Sequence, residues 1–297
     1  MSKLGVAVVQ ARISSILLAA VLGACSSEPG TEASADEFQS LVEVDWSLEP
    51  GKEMYLCKWL TVDRDLYLDA FAPIHPVGTH HTQLSVIEAP VKPDGIAPCG
   101  ATTVGRIFIS GGGVGTEPGY LPDGVAMFVP AGSQLLLNLH LFNTGDRMLT
   151  GRSGTRGRFV DAAQVEHIAE AIAAGPLKLA IPPGRSTQQG TCTFDHDSTI
   201  YRVLPHMHQT GVHMKVVANS SERGPVLLHD APYDFNNQLA YDVELLPMKK
   251  GDQLQIECTY ENPSGRTLPW GESSNDEMCL AGLARFPRGT GIPACPL

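Results

Sequence analysis

The chain has 297 residues, a formal net charge of −11, and 43% hydrophobic against 18% charged residues. That apolar content predicts a packed core rather than disorder. The acidic balance argues against nucleic acid as a partner and against a basic membrane-surface patch.

In chain order, Lys3 and Arg12 flank a positive start, and residues 13–22 form an apolar run too short to span a bilayer. The run ends in Leu22-Gly23-Ala24-Cys25, which resembles a bacterial lipobox. The resemblance implies a signal peptide over 1–24, lipidation of Cys25 and a membrane anchor through it. Ser26 and Ser27 follow without an adjacent Asp, so the expected place is the cell envelope, at the outer membrane. Residues 25–37 are small, polar and acidic, the composition of a flexible tether. Beyond Cys25 six cysteines remain: Cys57, Cys99, Cys192, Cys258, Cys279 and Cys295. An even number in an exported chain reads as disulfides, and no pair has zinc-ribbon spacing.

From about Phe38 the chain reads as short strands. Residues 55–60 (YLCKWL), 83–87 (QLSVI) and 134–140 (QLLLNLH) are apolar runs bounded by turn residues. Thirty glycines and 22 prolines punctuate the chain closely, which predicts an all-β protein of antiparallel sandwiches. Residues 162–174 (AAQVEHIAEAIAA) are good helix formers and predict a short connecting helix. A domain boundary follows at about residue 175, giving domains over 38–175 and 176–297. In the second, residues 216–217, 227–228, 239–246 and 254–260 are strand candidates. The run 111–115 (GGGVG) lacks the Lys-Ser/Thr of a phosphate loop and is expected to be a surface loop.

The chemistry rests on histidines. His206 and His208 in Pro205-His206-Met207-His208 are one residue apart, so on a strand both point to one side and form half a metal site. His80 and His81 are adjacent and would point to opposite faces unless a bend or bulge turns one of them. Gly78 just before them supplies a place for that bend. His140 closes the apolar run 134–140. His213 is expected at the surface, and His75, His167, His196 and His229 facing solvent. A second element lies at residues 274–279 (SNDEMC), where Met278 stands beside Cys279. No HExxH or GxSxG motif is present.

The ordered set of His80-His81, Leu-x-His at His140, Pro-His-Met-His and Asp-Glu-Met-Cys resembles the copper type II, ascorbate-dependent monooxygenases. That is the group of peptidylglycine α-hydroxylating and dopamine β-monooxygenases. Tyr55-Leu56-Cys57, residues 233–238 (YDFNNQ) and 258–262 (CTYEN) extend the resemblance over about residues 40–297. It implies two tandem jelly-roll-like antiparallel β-sandwich domains with one copper in each. Carried over by position, His80, His81 and His140 would hold the first, electron-transferring copper. His206, His208 and Met278 would hold the second, catalytic copper, where O2 and substrate meet. A thioether there suits Cu(I) and is rare for zinc. The family pairing implies disulfides Cys57–Cys99, Cys192–Cys295 and Cys258–Cys279.

The implied reaction is hydroxylation of a C–H bond with O2, using ascorbate or another one-electron reductant. The alternative is a non-catalytic periplasmic copper chaperone or sensor on the same fold. The substrate groups depart from the family. Leu204 stands where peptide-amidating members carry an Arg, Leu280-Ala281-Gly282 where they carry Asn and Tyr, and Thr82 where a Met is common. A small neutral or apolar substrate is therefore expected rather than a peptide ending in glycine, acted on by a monomer.

Overall fold

The computed structural model describes residues 37–297 apart from 101–105, 114, 272, 274, 291–293 and 297, with 294–296 described by backbone alone. The proposed signal peptide, Cys25 and nearly all of the tether lie outside these residues. The described chain is all-β, as expected.

Four large sheets form two pairs. In the first sheet Gln39–Leu48, Leu149–Phe159, Leu66–Ile74, Val125–Val129 and His167–Ile168 lie side by side, with Gly119–Tyr120 also on Leu66–Ile74. Its companion runs Gly95–Pro98, Glu53–Thr61, Gln134–Phe142, Thr79–Ile87, Ile107–Gly113. Between them lies one apolar core that includes Leu41, Trp46, Leu68, Phe71, Leu84, Leu137 and Leu139. The third sheet runs Tyr241–Met248, Ser198–Met207, Cys279–Phe286, Glu170–Gly175, Ala294–Pro296. The fourth runs Gly184–Thr193, Gln253–Asn262, Gly211–Ser220, Gly224–Pro232. A separate core that includes Ile172, Ile200, Met207, Val216, Ile256 and Tyr260 fills this second pair.

Burial explains the strands that matter for function. Gln134–Phe142 is central in its sheet and buried on both faces except at Phe142, which is why its apolar run is continuous rather than alternating. Leu135, Leu137, Leu139 and Leu141 have no exposed surface. Each such leucine contributes about 1.5–3 kcal/mol of transfer free energy, so the register that ends at His140 is strongly specified. Ser198–Met207 instead alternates over its C-terminal half. Val203, Pro205 and Met207 are buried while Leu204 and His206 are half-buried on the other face.

Two expectations are corrected here. Residues 162–174 do not form a helix: only Ala162–Gln164 makes a 3-10 turn, capped by Asp161, and Glu170–Gly175 is a strand. Glu170, Ile172 and Ala174 are buried with period two, and antiparallel pairing to Cys279–Phe286 overrides a helix propensity worth a few tenths of a kcal/mol per residue. The chain thereby leaves the first pair of sheets after Ile168 and enters the second at Glu170. The glycine run is likewise not a loop throughout. Gly111, Gly112 and Gly113 end the strand Ile107–Gly113, paired with Gln83, Thr82 and His81. A Cβ on Gly113 would sit 2.9 Å from the carbonyl oxygen of His80, so a side chain there would push the strands apart.

Candidate metal centre

The two strands at the middle of the second sheet bring three histidines together. His81 is paired across the ladder with His140, and the register shifts between Thr79 and His81. That irregularity is the bend that adjacent histidines need to face the same way. Gly78 makes it possible: its φ is +100°, and a Cβ there would lie 2.7 Å from Trp46. One ring nitrogen from each of His80, His81 and His140 lies within 4.8 Å of the others. The ring centroids are 4.9–5.3 Å apart, and the Nδ1 atoms of His80 and His81 approach to 3.1 Å.

His140 is oriented from both sides. Its Nε2 meets Glu53 Oε1 at 2.6 Å, and its ring stacks on Tyr55 at 4.4 Å with an interplanar angle of 1°. Its Nδ1 is buried and has no hydrogen-bond partner among the described residues. An orphaned imidazole nitrogen costs stability unless something takes its lone pair. With the Nε2 proton on the Glu53 side, that lone pair is free for a metal. Burial, then the neighbouring His140 and His80, hold His81 down to about 3, and burial also lowers His140 against the pull of Glu53. Three imidazole nitrogens this close together fit a metal bound ~2 Å from each nitrogen.

His206 and His208 form the second group, with ring centroids 5.3 Å apart and planes at 88°. His206 Nδ1 lies 2.8 Å from Gln238 Oε1, and His208 Nδ1 lies 3.1 Å from the carbonyl oxygen of Asp276. Both acceptors require a proton on Nδ1, which leaves each Nε2 lone pair free for a metal. Burial lowers His206 to about 4 and also lowers His208.

Met278 comes alongside through its neighbours. Met207 is paired with Cys279, and the Cys258–Cys279 disulfide ties that strand to the facing sheet. Tyr260 OH donates to the Met278 carbonyl at 2.8 Å. Met278 is half-buried, and no described contact joins its sulfur to either ring. Glu277 secures the junction. Fully buried, it accepts from His208 N at 2.9 Å, from Thr210 N and Oγ1 at 2.7 Å each, and from Met278 N at 3.3 Å. Burial pushes its carboxyl up while these donors pull it down. One carboxylate thus joins the His208 backbone to the Met278 backbone.

One aromatic ring touches both groups. Phe235 has its ring 5.5 Å from His80 and 6.4 Å from His208. Glu53, Gln238, Glu277 and Phe235 carried no metal-ligand signal in the sequence. Tyr55 and Phe235 appeared only within family-like text. Of the expected disulfides, Cys57–Cys99 and Cys258–Cys279 are present. Cys192–Cys295 ends on a side chain outside the described residues. The remaining histidines are apart from both groups. His213 pairs with Asp230, His196 with Asp195, and His75 with the Thr116 carbonyl. His229 is not solvent-facing as expected. It is buried and packs on Tyr241 at 5.1 Å, because its strand turns that face against the neighbouring sheet.

Residues 167–295 match the family described as copper type II ascorbate-dependent monooxygenase, C-terminal domain. The match covers the C-terminal part of the chain, less than half of its length. The chain is also similar to the human protein named "Putative DBH-like monooxygenase protein 2", at 28% identity over 235 residues. The match covers 70% of this chain and 46% of the human protein, so the chain spans about half the length of this curated relative. Among solved structures, dimeric latent PorU from Porphyromonas gingivalis aligns with 80% of this chain and 24% of its own. Its 6% identity and TM-score of 0.18 are too low to bear on the fold. The family match over residues 167–295 makes copper the metal to test against the two histidine groups. Neutral imidazoles are copper ligands, and a methionine beside the second group adds a soft donor suited to Cu(I).

Proposed function

We propose that this protein is a copper-dependent monooxygenase that hydroxylates a C–H bond of a small neutral or apolar substrate, using O2 and ascorbate or another one-electron reductant. The observation that carries the reading is the convergence of His80, His81 and His140, with one aromatic ring touching both that group and the pair of His206 and His208. In this reading His80, His81 and His140 hold one copper, and His206, His208 and Met278 hold another. When bound, copper supplies the one-electron chemistry that lets O2 react with a C–H bond.

The chain's own residues supply orientation. Glu53 and Tyr55 fix the His140 ring, Gln238 and the Asp276 carbonyl fix the tautomers of the HxH pair, and Glu277 holds the methionine loop to it. Leu204 is paired with Gly282, and His206 with Leu280. Leu204, Leu280 and Gly282 therefore share the sheet face of His206 and surround it with apolar surface. None of these three residues offers a cation to a substrate carboxylate, which favours a neutral or apolar substrate over a peptide terminus.

The same reading treats the two pairs of sheets as tandem jelly-roll-like domains, over 38–175 and 176–297. The chain would be a monomer held in the bacterial cell envelope, at the outer membrane, by lipid on Cys25. The test is oxygen uptake by copper-loaded protein with ascorbate, across small amines, phenethyl compounds and fatty acyl glycines. A hydroxylated product that requires both copper and reductant is expected. Copper binding with no product from any class would favour the chaperone or sensor alternative.

A further inference from the structure

Phe235 touches both histidine groups. It contacts His80 from one group and His208 from the other, at 5.5 and 6.4 Å between ring centroids. The segment that carries it is tied to the strand bearing His206 and to the strand Gly211–Ser220. Tyr233 N donates to the Val212 carbonyl at 3.0 Å, and Tyr233 OH donates to the Met207 carbonyl at 2.5 Å. Gln238 accepts from His206 through Oε1, while its Nε2 donates to the Phe235 carbonyl at 3.0 Å. Asp234 closes the turn by accepting from Asn236 N at 2.9 Å. Tethers on both flanks leave little freedom to the residue between them.

A phenyl ring neither ligates copper nor takes a hydrogen bond through a polar atom. Its contribution in this place is volume: it occupies space that water would otherwise hold beside the imidazoles. Phe235 is half-buried, so the residue borders solvent. We propose that Phe235 is a positioning residue that caps the gap between His80 and His208 and keeps bulk water from the metal held there. The proposal rests on the reading that both histidine groups bind copper.

The test uses full-length protein loaded with Cu(II) and exchanged into D2O. Electron spin echo modulation reports deuterons close to the metal, and copper content is measured in parallel. Phe235→Ala is expected to deepen the deuterium modulation by the amount of an added nearby water. Copper content and the imidazole-nitrogen modulation should stay at the wild-type level. Phe235→Leu restores apolar volume without the ring and is expected to keep the wild-type depth. Wild-type deuterium modulation in Phe235→Ala with both coppers bound would overturn the cap and leave the copper reading standing. A Phe235→Leu protein as wet as Phe235→Ala would also overturn it. Failure of wild-type protein to bind copper at the histidines would overturn the copper reading and the cap together.

Discussion

The two histidine groups are built on different principles. His80, His81 and His140 come from two paired strands at the centre of one sheet, and one ring nitrogen from each converges without help from a loop. His206 and His208 come from the end of a single strand, and whatever completes them must come from the segment around Met278. The first group is set by ladder register and by burial of the leucines on either side of it. The second depends on a carboxylate, a disulfide and a tyrosine hydroxyl that hold one chain segment against another. A group set by register resists change, while a group completed by a loop can exchange a ligand. In metal enzymes the position open to exchange is where substrates enter. The contrast agrees with an electron-transfer role for the first group and a catalytic role for the second.

The largest effect that would sharpen this contrast is functional. Met278→Ile is expected to abolish hydroxylation while copper at His80, His81 and His140 is retained, read by product formation and copper content together. Hydroxylation that persists in this variant would break the division of roles. Next comes the clamp. Glu277→Ala leaves the amides of His208 and Thr210 without their acceptor inside the fold, and should lower stability by about 3 kcal/mol. Urea denaturation of metal-free protein measures this, and a change below about 1 kcal/mol would deny Glu277 its role at the junction.

Glu53→Gln removes the charge behind His140 and is expected to weaken copper at the first group by about 10- to 100-fold, with the second unchanged. Competition with a chelator of known affinity separates the two. Equal weakening at both groups would mean that they are coupled more tightly than their separate supports suggest.

A further effect is pH-dependent stability of the metal-free protein. His81 and His206 have folded-state values of about 3 and 4, well below a free imidazole. The unfolded chain therefore binds protons first as pH falls through 6.5, and stability present above that value is lost toward pH 4. The loss is on the order of 1 kcal/mol per histidine at pH 6. Denaturation midpoints that do not move between pH 7 and 5 would show that these rings are open to solvent.

Periodicity and motif order made much of this protein legible before folding. Alternation along a strand puts His206 and His208 on one side whatever the rest of the chain does. The continuous apolar run 134–140 announces a strand buried on both faces. Adjacent His80 and His81 behind Gly78 announce a bend. Local chain geometry suffices for each of these.

Tertiary structure alone decided the supports. Glu53 reaches His140 across 87 residues, and Glu277 reaches the His208 backbone across 69. Such contacts depend on which strands pair and in what register, and no period within one segment encodes that choice. Glu170–Gly175 shows the same limit. Its helix formers lost to a sheet that needed Ile172 and Ala174 inward. The glycines 111–113 look like a loop until their partner strand brings the His80 carbonyl within 2.9 Å of a Cβ position. Phe235 carries no signal of its own until two sheets place a histidine from each group beside it. Ligands could be read one segment at a time, but the surroundings that hold them arise only when distant segments meet.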